Sequence, residues 1–218
     1  MNTNIYRIKV ITNLHAGSGD AGYGIVDKLV QRDATSNIPA IYASGIKGAI
    51  REFFDKHLRK TYLAEVFGDE GNASTGSRAG QYRFLSADLL AIPAPQEQTP
   101  YYQLICDSTH IAGLQQKYQK LDSGFSIGIQ GYTNNAVGFK EACSDLPVIA
   151  RNHLENGQSK NLWYEEVVPH QSEFIMAIQF PENDTNITDF NTSLNGNVIQ
   201  VGGNATVGYG LCSFSKIN

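Results

Sequence analysis

His15 and Asp27 stand on either side of a glycine-rich segment containing Gly17, Gly19, Gly22 and Gly24. A histidine and a carboxylate on one edge of a loop can pass a proton between a substrate and solvent. Such a pair is equally common as plain structure, so position alone does not settle its role. A second group lies further on, in Ser44-Gly45-Ile46-Lys47-Gly48 followed by Arg51. The start of a helix presents free N–H groups and the positive end of its dipole, which together favour an anion. Lys47 and Arg51 are four residues apart, so on a helix they share a face and both could reach phosphates. Gly45 and Gly48 each cost a helix about 1 kcal/mol relative to alanine. Either close helix packing or the approach of a ligand would explain them. A third group closes the chain, VGGNATVGYG, with Gly202, Gly203 and Gly208. It is a candidate to wrap a ligand backbone or, equally, to be a surface loop.

The elements that must carry these groups follow from patterning. Residues 5–14, IYRIKVITNL, alternate: Tyr6, Ile8 and Val10 point one way, Arg7, Lys9 and Ile11 the other. That is a half-buried strand. The glycine segment after it is expected to be a loop, and residues 25–33 to be extended. Gly17-x-Gly19-x-x-Gly22 matches a dinucleotide-binding fingerprint in letters only, because β-forming residues and not a helix follow it. A helix is expected from Ser44, acting as N-cap, to about Glu65, with Ile46, Ala49, Ile50, Phe53, Phe54 and His57 along one stripe. Residues 69–80 read as a polar loop, and YRFLSADLLAIP as a strand stopped by Pro93 and Pro95. A second helix fits 109–121, capped by Thr109, with Ile111, Leu114, Tyr118 and Leu121 inward. Residues 122–145 read as a long loop or inserted hairpin. Residues 161–168, 173–180, NVIQV and LCSF read as strands. Strands alternating irregularly with two helices imply an α+β fold, a ferredoxin-like or RRM-like antiparallel sheet with helices on one face.

The composition sets outer limits. The chain has 218 residues, 41% of them hydrophobic, enough for one compact domain. It has no apolar run long enough for a membrane span and no secretion-like N-terminus, so a cytoplasmic location is expected. Three widely separated cysteines make neither a zinc pattern nor a disulfide framework. A net charge of −4 counts against a nucleic-acid binder but leaves room for a local basic stripe.

Taken in order, several segments resemble the RAMP superfamily. They are LHAGSGDAGYG, the series Val26, Asp27, Val30, Arg32, Asp33, then Pro39, Ile41, Ser44, Lys47, Gly48, Arg51, and the closing glycine loop. VFGDEG, AGQYRFLSADLLAIP, ARNHLENG, NLWYEEVVP and IQVGGNATVGYG narrow the resemblance to the backbone subunit of type III-B (Cmr) CRISPR effector complexes. This chain departs from the family pattern at Ala43-Ser44-Gly45 before the lysine. It is also shorter between about residues 93 and 150, where the family carries material around a thumb-like hairpin.

The resemblance implies a single RAMP domain over 1–218, with insertions around 66–85 and 122–165. It implies a subunit that binds guide (CRISPR) RNA and stacks head to tail with its own copies and beside the other subunits of the complex, with no membrane partner. Complementary target RNA would be cut at regular intervals as part of antiviral defence. Asp27 matches the aspartate that supports metal-dependent cleavage, with magnesium or manganese as the divalent ion. His15 and Glu166 match neighbours of that site, with Glu165 as the alternative to Glu166. Ser44, Lys47, Arg51, Gly202, Gly203 and Gly208 would contact RNA. Two other functions remain on this fold: a subunit that coats guide RNA without cutting, and a precursor-RNA processing endoribonuclease centred on His15.

Overall fold

The computed structural model describes residues 1–21, 24–55, 60–69 and 76–218. Gly22, His57 and residues 70–75 of the expected polar loop therefore lie outside the described residues. In chain order the elements are β1 (Asn2–Val10), β2 (Gly17–Ala21), β3 (Lys28–Val30), β4 (Ala40–Ile41), α1 (Ala43–Asp55) and α2 (Lys60–Phe67). There follow β5 (Gly68–Asp69), β6 (Arg78–Ala79), β7 (Arg83–Phe84), β8 (Ala87–Pro95), β9 (Tyr102–Cys106), α3 (Ser108–Gln119), β10 (Tyr132–Asn134) and α4 (Ala136–Ser144). The last are β11 (Val148–Glu155), β12 (Gln158–Glu166), β13 (Glu173–Phe180), α5 (Ile187–Leu194), β14 (Val198–Gln200), a 3-10 turn at Ala205–Val207, and β15 (Leu211–Lys216).

The main sheet runs β10-β9-β8-β13-β1-β15-β14, with β4 on β8 and β7 on β13. Its pairings are antiparallel except β9 with β10. The alternation in β1 is as the sequence demands: Tyr6, Ile8 and Val10 enter one core. Ile5, however, enters a second core on the other face, with Ile175 and Ala177 of β13. A sheet that is apolar on both faces must be covered on both. Thus α1, α2, α4 and α5 pack on one face, while Ile111, Leu114 and Tyr118 of α3 cover the other. The α+β expectation stands, and the helices divide four to one between the faces among the described residues.

Local expectations differ in several places. The start of the glycine segment is not a loop: Gly17–Ala21 is β2, paired with β3. α1 begins one residue before Ser44, and the Ala43 N–H donates to Ser86 Oγ at 3.1 Å, so Ser44 lies exposed in the first turn. α3 is capped by Asp107, whose Oδ1 accepts from Thr109 N at 2.7 Å, and not by Thr109. β8 continues through Pro93 and Pro95, because β13 pairs with β8 only as far as Ala91. Beyond that point one side of β8 is an edge, where proline is tolerated.

A second sheet, ordered β11-β12-β3-β2, stands apart from the first. β11 and β12 form a hairpin that is mostly exposed away from its base. The 122–145 segment is not one long loop: it holds β10 and then α4, capped by Asn135, whose Oδ1 accepts from Gly138 N at 2.9 Å.

Candidate functional site

α1 presents two opposite faces. Ile46, Ile50 and Phe54 are buried. Ser44, Lys47, Gly48 and Arg51 recur at three- and four-residue steps on the other side, with Lys47 half-buried and the rest exposed. No described residue makes an ion pair or hydrogen bond with Lys47 or Arg51. A Cβ added at Gly45 or Gly48 would meet nothing within 4 Å. Close helix packing therefore does not account for the two glycines. They keep the surface low beside two cations that have no partner.

A chain of hydrogen bonds joins this helix to the other candidate segments. The Tyr42 N–H, just before α1, donates to Gln31 Oε1 at 2.6 Å. Gln31 Nε2 donates to Gly17 O at 3.0 Å, and its backbone N–H to Ala16 O at 2.8 Å. Next along, the His15 carbonyl accepts from Gly203 N at 2.9 Å. His15 Nδ1 lies 2.7 Å from the Glu166 carbonyl, which can only accept, so Nδ1 carries the proton. The start of α1, β2, His15, the closing glycine loop and the base of the hairpin thus form one connected region.

Within the closing loop the glycines divide by role. Gly202 has φ +76°, and a Cβ there would lie 2.5 Å from His15 O. Gly210 has φ +75°, and a Cβ there would overlap Val201 O. Both are required by close backbone approach inside the protein. Gly203 and Gly208 are exposed, and a Cβ at Gly208 would meet nothing within 4 Å.

Asp27 is exposed and fixed at two points on the hairpin: Oδ2 accepts from Tyr164 N at 2.8 Å, and the Asp27 N–H donates to Tyr164 O at 3.0 Å. Glu166 lies at the far end of the same strand pair. Its Oε2 accepts from Val30 N at 3.0 Å, and its Oε1 takes Arg32 Nη2 at 2.6 Å. Arg32 also donates to Cys143 O at 2.7 Å and Asn37 O at 3.0 Å. One carboxylate oxygen of Glu166 is committed to the ion pair with Arg32 and the other to the Val30 N–H, so the structure does not bring them out beside Asp27. His15 is also sequestered, at 7% exposure.

Glu165 is fully buried and takes more partners still. Lys28 Nζ is at 2.9 Å, Trp163 Nε1 at 2.7 Å, Asn204 Nδ2 at 2.8 Å and Arg151 Nη1 at 3.8 Å. Lys28 also lies 5.0 Å from the Trp163 ring centre, and Arg151 5.4 Å from that of Tyr209. Burial pushes the Glu165 carboxyl up. The hydrogen bonds from Lys28, Trp163 and Asn204, with the Lys28 charge, outweigh it and hold the group below its ordinary value.

Among the described residues, no three His, Cys, Asp or Glu side chains gather in a way that could hold a metal ion. At Asp27 a divalent cation would meet a single carboxylate and would keep the rest of its shell as water. Magnesium accepts that arrangement, and a structural zinc does not.

The RAMP superfamily pattern matches residues 7–213. The chain belongs to the RAMP superfamily. Over 89 residues, 40% of this RAMP chain, it is 39% identical to the CRISPR system CMR subunit Cmr4 of Saccharolobus solfataricus, and the matched stretch spans 28% of that relative. Its fold superposes at a TM-score of 0.80 and 18% identity on a chain of the type III-B Cmr-beta complex in its apo state, covering 100% of this chain and 98% of that one. The same complex bound to cognate target RNA gives 0.79 at 19% identity, covering 99% and 97%. Oligomeric Cmr4 from Pyrococcus furiosus gives 0.67 at 14% identity, covering 100% and 99%. The fold is that of these Cmr chains.

Sequence reading of this RAMP chain passed over Lys28, Arg151, Trp163, Asn204 and Tyr209, which surround Glu165 from four separate segments. No spacing rule connects them. The network has a pH signature. A carboxyl held low when folded adds stability that is fully present above its unfolded value and is lost as pH falls through the folded value. Stability to urea should therefore fall as pH drops below about 4.5, the ordinary value for this group. Glu165→Gln should flatten that part of the profile, and an identical profile would remove Glu165 as its source. Among the described residues, no helix is long and apolar enough to cross a membrane.

Proposed function

We propose that this chain is a guide-RNA-binding backbone subunit of a type III-B CRISPR effector complex that cuts complementary target RNA, with Asp27 at the point of cleavage. The observation that carries the reading is the connected region itself. An unpartnered basic helix face, a glycine loop and an exposed aspartate are tied together by the Gln31 and His15 hydrogen bonds. The family and the fold add support, since the similar Cmr-beta complex binds cognate target RNA.

Phosphate contacts from Lys47 and Arg51 would set the position of the guide without reading its sequence. Target choice would come from base pairing, so a chain of net charge −4 needs only a narrow basic track. For cleavage, the 2′-hydroxyl of the target must lose its proton and attack the adjacent phosphorus in line as the 5′-oxygen leaves. A flipped nucleotide supplies that alignment. Asp27 is held with one oxygen on Tyr164 N, and no described residue engages the other, which can take the proton. A magnesium or manganese ion shared by Asp27 and the phosphate would offset the charge that builds on the phosphoryl oxygens.

The test is to purify the chain with co-expressed guide RNA and incubate it with complementary RNA, with and without magnesium. Magnesium-dependent cutting at regular steps is expected. Stable assembly without cutting would select the coating-subunit reading. Metal-independent cutting of the guide precursor would select the processing-enzyme reading.

Two further outcomes are expected. Lys47→Glu with Arg51→Glu should weaken RNA binding by a similar factor on unrelated sequences. The salt dependence of log K should become shallower by about 1.4, two phosphate contacts on a single strand. An unchanged slope would leave both residues as solvated surface. Copies should also add head to tail along one RNA, an open contact that does not close on itself. Native mass spectrometry on guides of increasing length should therefore show increasing copy number, and one copy at every length would count against the filament.

A further inference from the structure

We infer that His15 is a binding residue of this site, whose Nε2 accepts a hydrogen bond from a ribose 2′-hydroxyl of the bound RNA. The inference rests on the RNA-binding function proposed above and assigns one contact within it.

The ring is fixed from below. Nδ1 donates to the Glu166 carbonyl at 2.7 Å, and the adjoining backbone carbonyl of His15 is held by Gly203 N at 2.9 Å. With the proton on Nδ1, the neutral ring offers Nε2 as a bare acceptor. His15 is 7% exposed, and no described residue donates to Nε2. Nor is Nε2 among the buried polar atoms closed off from solvent. A polar side chain buried this far normally has its hydrogen bonds filled, so an open acceptor points to a partner from outside.

The opening over Nε2 is made by two residues that lack a side chain. A Cβ on Gly17 would lie 3.1 Å from Nε2, and a Cβ on Gly203 would lie 3.9 Å from Cδ2 of the same ring. Neither glycine has positive φ, so backbone conformation does not require them. What they share is the space above the acceptor edge of His15. The visitor must be a small donor carried by something that already runs along the glycine loop. On RNA the ribose 2′-hydroxyl is such a donor, and it distinguishes RNA from DNA. The bases carry their donors on edges committed to pairing, and a phosphate has no donor to give.

The experiment uses the shortest RNA that binds one copy, with each 2′-hydroxyl replaced by hydrogen in turn. In the unsubstituted protein one position should cost about 2- to 10-fold in affinity, the range for one neutral hydrogen bond. His15→Asn keeps a donor for the Glu166 carbonyl and, being shorter than the imidazole, withdraws its amide oxygen from the position of Nε2, so it should erase the penalty at that position alone. Gly17→Ala, which leaves His15 intact and covers Nε2, should do the same and guards against a folding defect in the first variant. Equal penalties in all three proteins, with RNA still bound, would overturn the His15 contact and leave the proposed function standing. A difference that follows a methylphosphonate and not a deoxyribose would overturn it in favour of a phosphate. No RNA binding by the unsubstituted protein would overturn the function and this contact together.

Discussion

Asp27→Asn should leave the chain assembled on guide RNA and reduce target cutting by about 10²- to 10⁴-fold, the span contributed by a positioned proton acceptor. The substitution is close to silent for the fold. Asparagine keeps a side-chain oxygen for the Tyr164 N–H that Asp27 Oδ2 now takes at 2.8 Å, and the backbone bond from Asp27 N to Tyr164 O is untouched. The side chain is exposed, so no buried charge is created or stranded. What is lost is the negative charge, and with it both the proton acceptor and the only carboxylate offered to a divalent ion in this part of the described site. Asp27→Ala should cut no better and should lose a little stability through the missing Tyr164 contact. The measurement is single-turnover cleavage of complementary RNA beside an RNA-retention assay on the same preparation. Unchanged cleavage by Asp27→Asn would move the chemistry elsewhere, and loss of RNA retention would make Asp27 a structural residue of the β3–β12 junction.

The parts of this protein that could be read from the sequence are those where burial is one-sided and long. β1 alternates from Tyr6 to Val10, and α1 carries a buried stripe that is hard to mistake. α4 buries only Phe139 and Cys143, and α5 only Phe190 and Leu194, so each offers a single helical step and no period to count. β11 was invisible for the opposite reason: most of its side chains are exposed on both faces, and alternation needs a wet side and a dry side. β2 hid behind its glycines, which suggest a turn although two of them lie in a paired strand. The candidate residues can be named from the sequence, but their states cannot. Nothing in the spacing says that Gly202 makes room for the His15 carbonyl while Gly208 closes the 3-10 turn with φ +80°. Nor could the sequence rank the two glutamates, because apart from Trp163 what fills their oxygens comes from Lys28, Val30, Arg32, Arg151 and Asn204, on other segments of the chain.

Glu166→Ala should be the most damaging single change to stability among the candidate site residues, and its loss of cutting should follow from loss of fold. Arg32 and Glu166 are 17% and 8% exposed, and their 2.6 Å contact is flanked by the bonds from Val30 N to Glu166 and from Arg32 to the Cys143 and Asn37 carbonyls. Removing one member of a buried pair leaves the other charge uncompensated and costs about 3–5 kcal/mol. Here it also strands the Val30 N–H, at the strand that carries Asp27 into place. For a chain of this length that loss corresponds to a fall in Tm of about 10 °C. Glu166→Gln keeps an oxygen for one of its two donors and should fall between the alanine variant and the unsubstituted protein. Melting and cutting must be measured together, well below the lower Tm. There the folded fraction of Glu166→Gln should still cut, because its carboxylate is already spent on Arg32 and Val30. A Glu166→Gln protein as stable as the original yet unable to cut would reverse that assignment and return Glu166 to the chemistry.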